Sequence, residues 1–247
     1  KDSFTGRMFR GLWIPAMLSS LGWALSDMAD AVVVGQKLGT VGLAAISLIL
    51  PIYMINCMFA HGFGLGGSVR YSRLLSQGKP QEAADSFHGV FWLALAFSAA
   101  TAVLGSVFMG PLLALLGTRP ADGALYTATK DYLQILVAAT PLFYLSNILN
   151  YYLRNDGSQR RAGVGSVTGN ISDITLNILL VLVLDMGTRG AALSTALGQI
   201  ITICIYLPGF FSKKHTLRFA LPGRRWAAPA LSTLKAGMAT SVQYLYQ

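Results

Sequence analysis

Acidic and basic residues together make up only 12% of this 247-residue chain, about half the share found in soluble domains. So little charge excludes a cytosolic enzyme, a nucleic-acid binder and a disordered tail. Acidic residues are the scarcer kind, 10 against 19 lysines and arginines. Cysteine is nearly missing: Cys57 and Cys204 each sit inside an apolar run without metal or redox spacing, and both read as small hydrophobes. No stretch alternates with period two in units of about ten residues, which argues against a membrane barrel. Catalytic signatures are lacking too, with no HExxH, GxSxG or GxxxxGK run. The glycines of GFGLGG follow no strand and lead towards a basic loop, so they form no dinucleotide fingerprint. Nothing here calls for an enzyme or a bound cofactor.

What is present is apolar length. Hydrophobic residues make up 53% of the chain, and the mean hydropathy is +0.53. Six segments stand out, at about 11–35, 43–67, 87–117, 127–153, 162–184 and 188–211. Each is long enough to cross a bilayer, which takes about 20 residues. The expected fold is all-α and polytopic. An amino-terminal six-helix lobe spans 1–211, a basic linker spans 212–229, and a seventh helix starts at 230. That last stretch breaks off at Gln247 while still apolar, so a further carboxy-terminal lobe is expected. LSTLKAGMATSVQ also overlays GLWIPAMLSSLGW at an offset of 222, with Leu234 on Leu12, Gly237 on Pro15 and Ser241 on Ser19. A second half that restarts the first is common in transporters.

The basic residues test this layout. With the amino terminus inside, 15 lysines and arginines fall on inner loops, and four (Lys37, Arg119, Lys130 and Arg189) fall outside. The split follows the positive-inside rule. It places a multi-pass protein in the cell membrane with a cytoplasmic amino terminus, and it explains the net charge of +9 without nucleic acid.

Charge inside a span is costly, about 2.5–3.5 kcal/mol for a carboxylate at the bilayer centre, and so marks function. Three of the ten acidic residues fall there: Asp27, Asp30 and Asp173. Asp27 and Asp30 share one face of the first helix, and Asn170, Asp173 and Asn177 share one face of the fifth. Helical rise puts Asp30, Asp173, Asn177 and Thr195 at similar depth in the outer half of a bundle. Such a cluster can take up and release protons, or supply the oxygen ligands of a sodium ion. Asn147 and Asn150, three apart on the fourth helix, and Tyr132 near its outer end either line a cavity or bind helices together. His61, within HGFGLGG, is better explained by close helix packing. Trp13, Trp23 and Trp92 read as packing and interfacial anchors.

These runs resemble the multidrug and toxic compound extrusion (MATE) family. The first helix, IPAMLSSLGWALSDMADAVVVGQKLGTVGLAA, is similar to that family's opening. SLILPIYMINCMFAHGFGLGGSVRYSRLLSQGKPQEA resembles its second helix and basic loop, LRNDGSQRRAG the loop after its fourth, and DMGTRGAALSTALGQ the start of its sixth. The resemblance implies one lobe of a twelve-helix antiporter that exports organic cations or amphipathic drugs in exchange for protons or sodium ions. It also implies a cation site at Asp30, Asp173, Asn177 and Thr195, a helix bend at Pro15, and a cavity lined by Tyr132, Asn147 and Asn150. One feature departs from the family. Its fifth helix usually reads Asn, three residues, Asp; here it reads Asp173-Ile-Thr-Leu-Asn177. The carboxylate moves about 6 Å inward, which favours protons over a sodium site of the usual shape. Asn170, a turn further inward, is a candidate partner for Asp173.

Two rival readings remain. A lipid-linked oligosaccharide or peptidoglycan-precursor flippase shares the architecture, but its phosphate cargo calls for arginines, and none lies well inside an expected span. A membrane-embedded enzyme or scaffold would need a catalytic constellation that these residues do not supply.

Overall fold

The computed structural model describes residues 4–210, and all its regular elements are helical. Helix α1 covers Phe4–Ser76, α2 Pro80–Val107 and α3 Met109–Leu115. A 3-10 turn at Pro120–Asp122 leads into α4, Ala124–Asn155. Helix α5, Gln159–Asn177, runs directly into a π-helical stretch, Ile178–Val183, and α6 covers Gly187–Phe210. Five of these helices are long and apolar enough to cross a membrane, so the chain is an all-helical, multi-pass membrane protein. The linker at 212–229, the seventh helix from 230 and the repeat at offset 222 lie outside the described residues, as do the side chains of Pro15, Trp13 and Trp23.

Helix α1 is not one rod. Gly39 has φ 60 and ψ −144, a backbone region that side chains with a Cβ avoid and glycine enters freely. The expected spans 11–35 and 43–67 lie on either side of this break. The expected span 87–117 is likewise not a single helix: α2 stops at Val107 and α3 restarts at Met109, across Phe108 at φ −95 and ψ 26.

Helix directions follow from which residues face each other. Along α5 and α6, Gly165 faces Tyr206, Gly169 faces Thr202, and Asp173 faces Gly198. Numbers rise on one side as they fall on the other, so the two helices are antiparallel. Between α1 and α5, Gly22 faces Asn170, Ser26 bonds Asp173 and Asp30 bonds Asn177. Here both series rise together, and the helices run parallel. Small residues every fourth position let the α5 and α6 backbones approach closely, as membrane helices do.

The loops therefore sort to two ends. At one end Lys37 pairs with Asp185 at 3.1 Å and Arg189 with Asp131 at 2.8 Å, while Thr188 Oγ1 donates to the Ala128 carbonyl at 2.9 Å. At the other end Tyr71 Oη donates to Asp156 Oδ1 at 2.7 Å. Beneath that contact lies an aromatic core of Phe63, Phe87, Tyr144, Tyr152, Tyr206 and Phe210. A smaller cluster of Val33, Val34, Val181 and Ala191 packs near the opposite end. On α1, Met17, Leu21, Leu25, Met28 and Val32 form an exposed apolar stripe, and the face carrying Gly22, Ser26 and Asp30 turns towards α5.

Candidate functional site

Three contacts between parallel α1 and α5 build the site. Nearest the amino ends of the two helices, a Cβ on Gly22 would lie 3.0 Å from Asn170 Nδ2, so glycine makes room for the amide. One turn further along, Ser26 Oγ donates to Asp173 Oδ2 at 2.9 Å. A further turn along, Asn177 Nδ2 donates to Asp30 Oδ1. Residues 22, 26 and 30 are spaced by four, and 170, 173 and 177 by three and four. Both series keep to one helix face, so each helix presents its three residues to the other.

The third wall is α6. Gly198 sits close against Asp173: a Cβ there would lie 3.0 Å from Asp173 Cβ. Ser194 and Thr195 stand beside the same carboxylate, but their hydroxyls donate to the Ala191 carbonyl at 2.7 and 3.1 Å. Tyr132 adjoins Thr195 and packs with the Val33 cluster. Asp173 is 8% exposed and Asn177 fully buried. Within this enclosure Asp173 Oδ1 and Asn177 Oδ1 have no hydrogen-bond partner among the described residues. A buried oxygen without a donor is destabilising.

Of the residues singled out in the sequence, Asp30, Asp173, Asn177, Thr195 and Tyr132 are gathered here, with Asn170 at the margin. Asp27, three residues before Asp30 on α1, is exposed. Asn147 lies elsewhere, in a narrow cleft lined with Tyr53, Asn56, Cys57, Thr140 and Phe143, and its amide donates to the Phe143 carbonyl at 2.9 Å. Asn150 joins helices together. Its amide donates to Ser166 Oγ at 2.9 Å and to Tyr206 Oη at 2.5 Å, tying α4, α5 and α6. His61 Nδ1 donates to the Cys57 carbonyl at 2.8 Å, and its ring meets Tyr151 edge-on. Pro15 falls within the helical stretch of α1.

Sequence reading missed Ser26, Ser194 and Gly198. Ser26 was within reach, because it precedes Asp30 by four and must share its face. Gly198 had no signal of its own, since its role depends on which residue of α5 it meets.

Comparison with known proteins fits this geometry. The chain is 28% identical over 204 residues to the FAD transporter of Shewanella oneidensis, covering 81% of this chain and 44% of that protein. It is 25% identical over 221 residues to the probable multidrug resistance protein YoeA of Bacillus subtilis, covering 86% and 46%. With the multidrug export protein MepA of Staphylococcus haemolyticus it shares 28% over 208 residues, covering 83% and 45%. The chain thus spans about half the length of these relatives. Among solved structures, a MATE in complex with MaD3S superposes with a TM-score of 0.86 at 24% identity, covering 95% of this chain and 52% of that one. A MOP superfamily transporter from Pyrococcus furiosus gives 0.84 at 24%, covering 94% and 51%. These likenesses show a shared fold. A family model described as MatE matches residues 15–179, well over half of the sequence, and the chain belongs to the MatE family.

Proposed function

We propose that the protein is a secondary antiporter that exports organic cations or other drugs and is driven by inward flow of protons or sodium ions through the α1–α5–α6 site. The supporting observation is the pair of buried, unpartnered oxygens, Asp173 Oδ1 and Asn177 Oδ1, beside Asp30. Side chains four apart on one helix face are neighbours, so a single proton or sodium ion serves both oxygens. The exchanged order of Asp173 and Asn177 favours the proton, because it separates the two carboxylates of the site by about a turn.

The cation acts by changing what holds α1 against α5. Without it, Ser26 and Asn177 each spend a donor on a carboxylate. Once the cation neutralises Asp173, the bond from Ser26 weakens and the arm of α1 before Gly39 is loosened from α5. The ion shifts the balance between inward- and outward-facing states only by its difference in affinity for them, and loosening this contact supplies that difference. Substrate is taken up in a cavity between this lobe and a second, carboxy-terminal lobe. The end bearing Asp156 and Arg160 faces the cytoplasm, as the positive-inside rule requires.

A cationic or amphipathic cargo suits the charge distribution better than an anionic one. Among the described residues, lysines and arginines lie near helix ends, where they offer a phosphate-bearing cargo no partner within the bilayer. The test is efflux of a fluorescent organic cation from proteoliposomes holding the full-length protein, with sodium and pH gradients imposed separately. Efflux driven by either gradient supports the proposal. Export that ignores both, or that carries only anionic cargo, overturns it.

A further inference from the structure

At the end carrying Asp156, the turn between α4 and α5 opens into a depression of about 420 Å3 between α5 and α6, away from the cation site. Gly157, Ser158, Arg160 and Arg161 form its polar side, and Val164 and Ile205 its apolar side. We propose that this depression binds the phosphate headgroup of an anionic phospholipid, with Val164 and Ile205 receiving the start of an acyl chain.

Four observations carry this. First, the position is interfacial. The apolar span begins at Gln159 and runs to Val183, so Arg160 and Arg161 sit at its first turn, at headgroup level, and Val164 lies one turn deeper. Second, the lining changes character in the same direction as a phospholipid does, from charge to hydrocarbon. Val164 is 51% exposed, an apolar surface that needs a cover. Third, Arg161 reaches across to α6. Its Nη1 lies over Gly209 of α6, where a Cβ would come within 3.1 Å, so glycine lets the guanidinium cross the helix. Fourth, the arginines are not taken up by acids: none of the ion pairs among the described residues includes Arg160 or Arg161.

Arginine suits this task because its planar fork meets phosphate oxygens two at a time, and basic pockets between helices on the cytoplasmic side bind anionic headgroups. The alternative source of the same chemistry is free phosphate. It would use the arginines and gain nothing from Val164 and Ile205.

The test uses the full-length protein purified in neutral detergent and titrated with dioleoylphosphatidylglycerol, dioleoylphosphatidylcholine or inorganic phosphate. Retained adducts are counted by native mass spectrometry and melting is followed in parallel. The expected result is about thirty-fold preference for phosphatidylglycerol over phosphatidylcholine, the contribution of two interfacial arginines. The Arg160→Gln/Arg161→Gln variant should lose that preference while melting as the parent does in phosphatidylcholine. Should that variant not fold, the parent alone decides: its preference must fall as salt is raised. Equal retention of both lipids, a preference unchanged in the variant or by salt, or full competition by equimolar inorganic phosphate would each overturn the proposal.

Discussion

The hydroxyl of Ser26 donates to the carboxylate of Asp173 at 2.9 Å, linking two helices 147 positions apart in the chain. Ser26 is 3% exposed, so water does not replace it. Ser26→Ala removes the hydrogen bond that Asp173 accepts from Ser26 and should cost about 1–2 kcal/mol, read as a lower melting temperature. It should also move the pH at which efflux is half-maximal, because the hydrogen bond that is lost ends on the carboxylate of Asp173. Lower stability with an unmoved pH profile would mean that Ser26 only braces the helices.

Gly198 sets the distance between Asp173 and α6. A methyl at position 198 would stand 3.0 Å from Asp173 Cβ and 3.1 Å from the Gly169 carbonyl. Neither is the free end of a flexible chain. Gly198→Val should push α6 from α5 and abolish gradient-driven efflux, and Gly198→Ala should reduce it by about tenfold or more, as small misplacements at a working site do. Parental activity in the valine variant would show that the α5–α6 approach does not matter to the site.

The order of Asp173 and Asn177 can be reversed. In the Asp173→Asn/Asn177→Asp variant a carboxylate at position 177 meets Asp30 directly, where an amide now donates. Like charges at contact distance repel, and a bound cation relieves them. Sodium should therefore raise the melting temperature of this variant more than that of the parent, with choline as the control cation. Identical sodium responses would separate the exchanged order from ion choice.

How much of this was legible in the sequence depends on whether a feature is local to one helix. The apolar runs marked six segments, and spacing put Asp30 on one face of α1 and Asp173 and Asn177 on one face of α5. Equal depth then brought them together. Features that depend on the partner helix were out of reach: the Gly39 break, the split at Phe108, and Gly198 closing on Asp173. Asn150 shows the same limit. Its sequence fits a cavity wall or a helix clamp equally, and only the positions of Ser166 and Tyr206 decide which bonds its amide makes.

That clamp predicts its own signature. Tyr206 Oη accepts from Asn150, meets Ser166 Oγ at 2.8 Å and donates to the Ala162 carbonyl at 3.1 Å. Tyr206→Phe should destabilise the protein by about 1–2 kcal/mol, since interhelical hydrogen bonds in membranes average about 0.6 kcal/mol each. Its ratio of proton- to sodium-driven efflux should stay that of the parent. A changed ratio would connect this clamp to the ion site.

Coupling at Asp30 is tested most directly by gradient-driven efflux through the full-length Asp30→Asn protein in proteoliposomes, with melting temperature as the check on folding. Loss of efflux under both sodium and pH gradients, from a protein that melts near the parent, is the predicted result. Parental efflux in that variant would contradict the account.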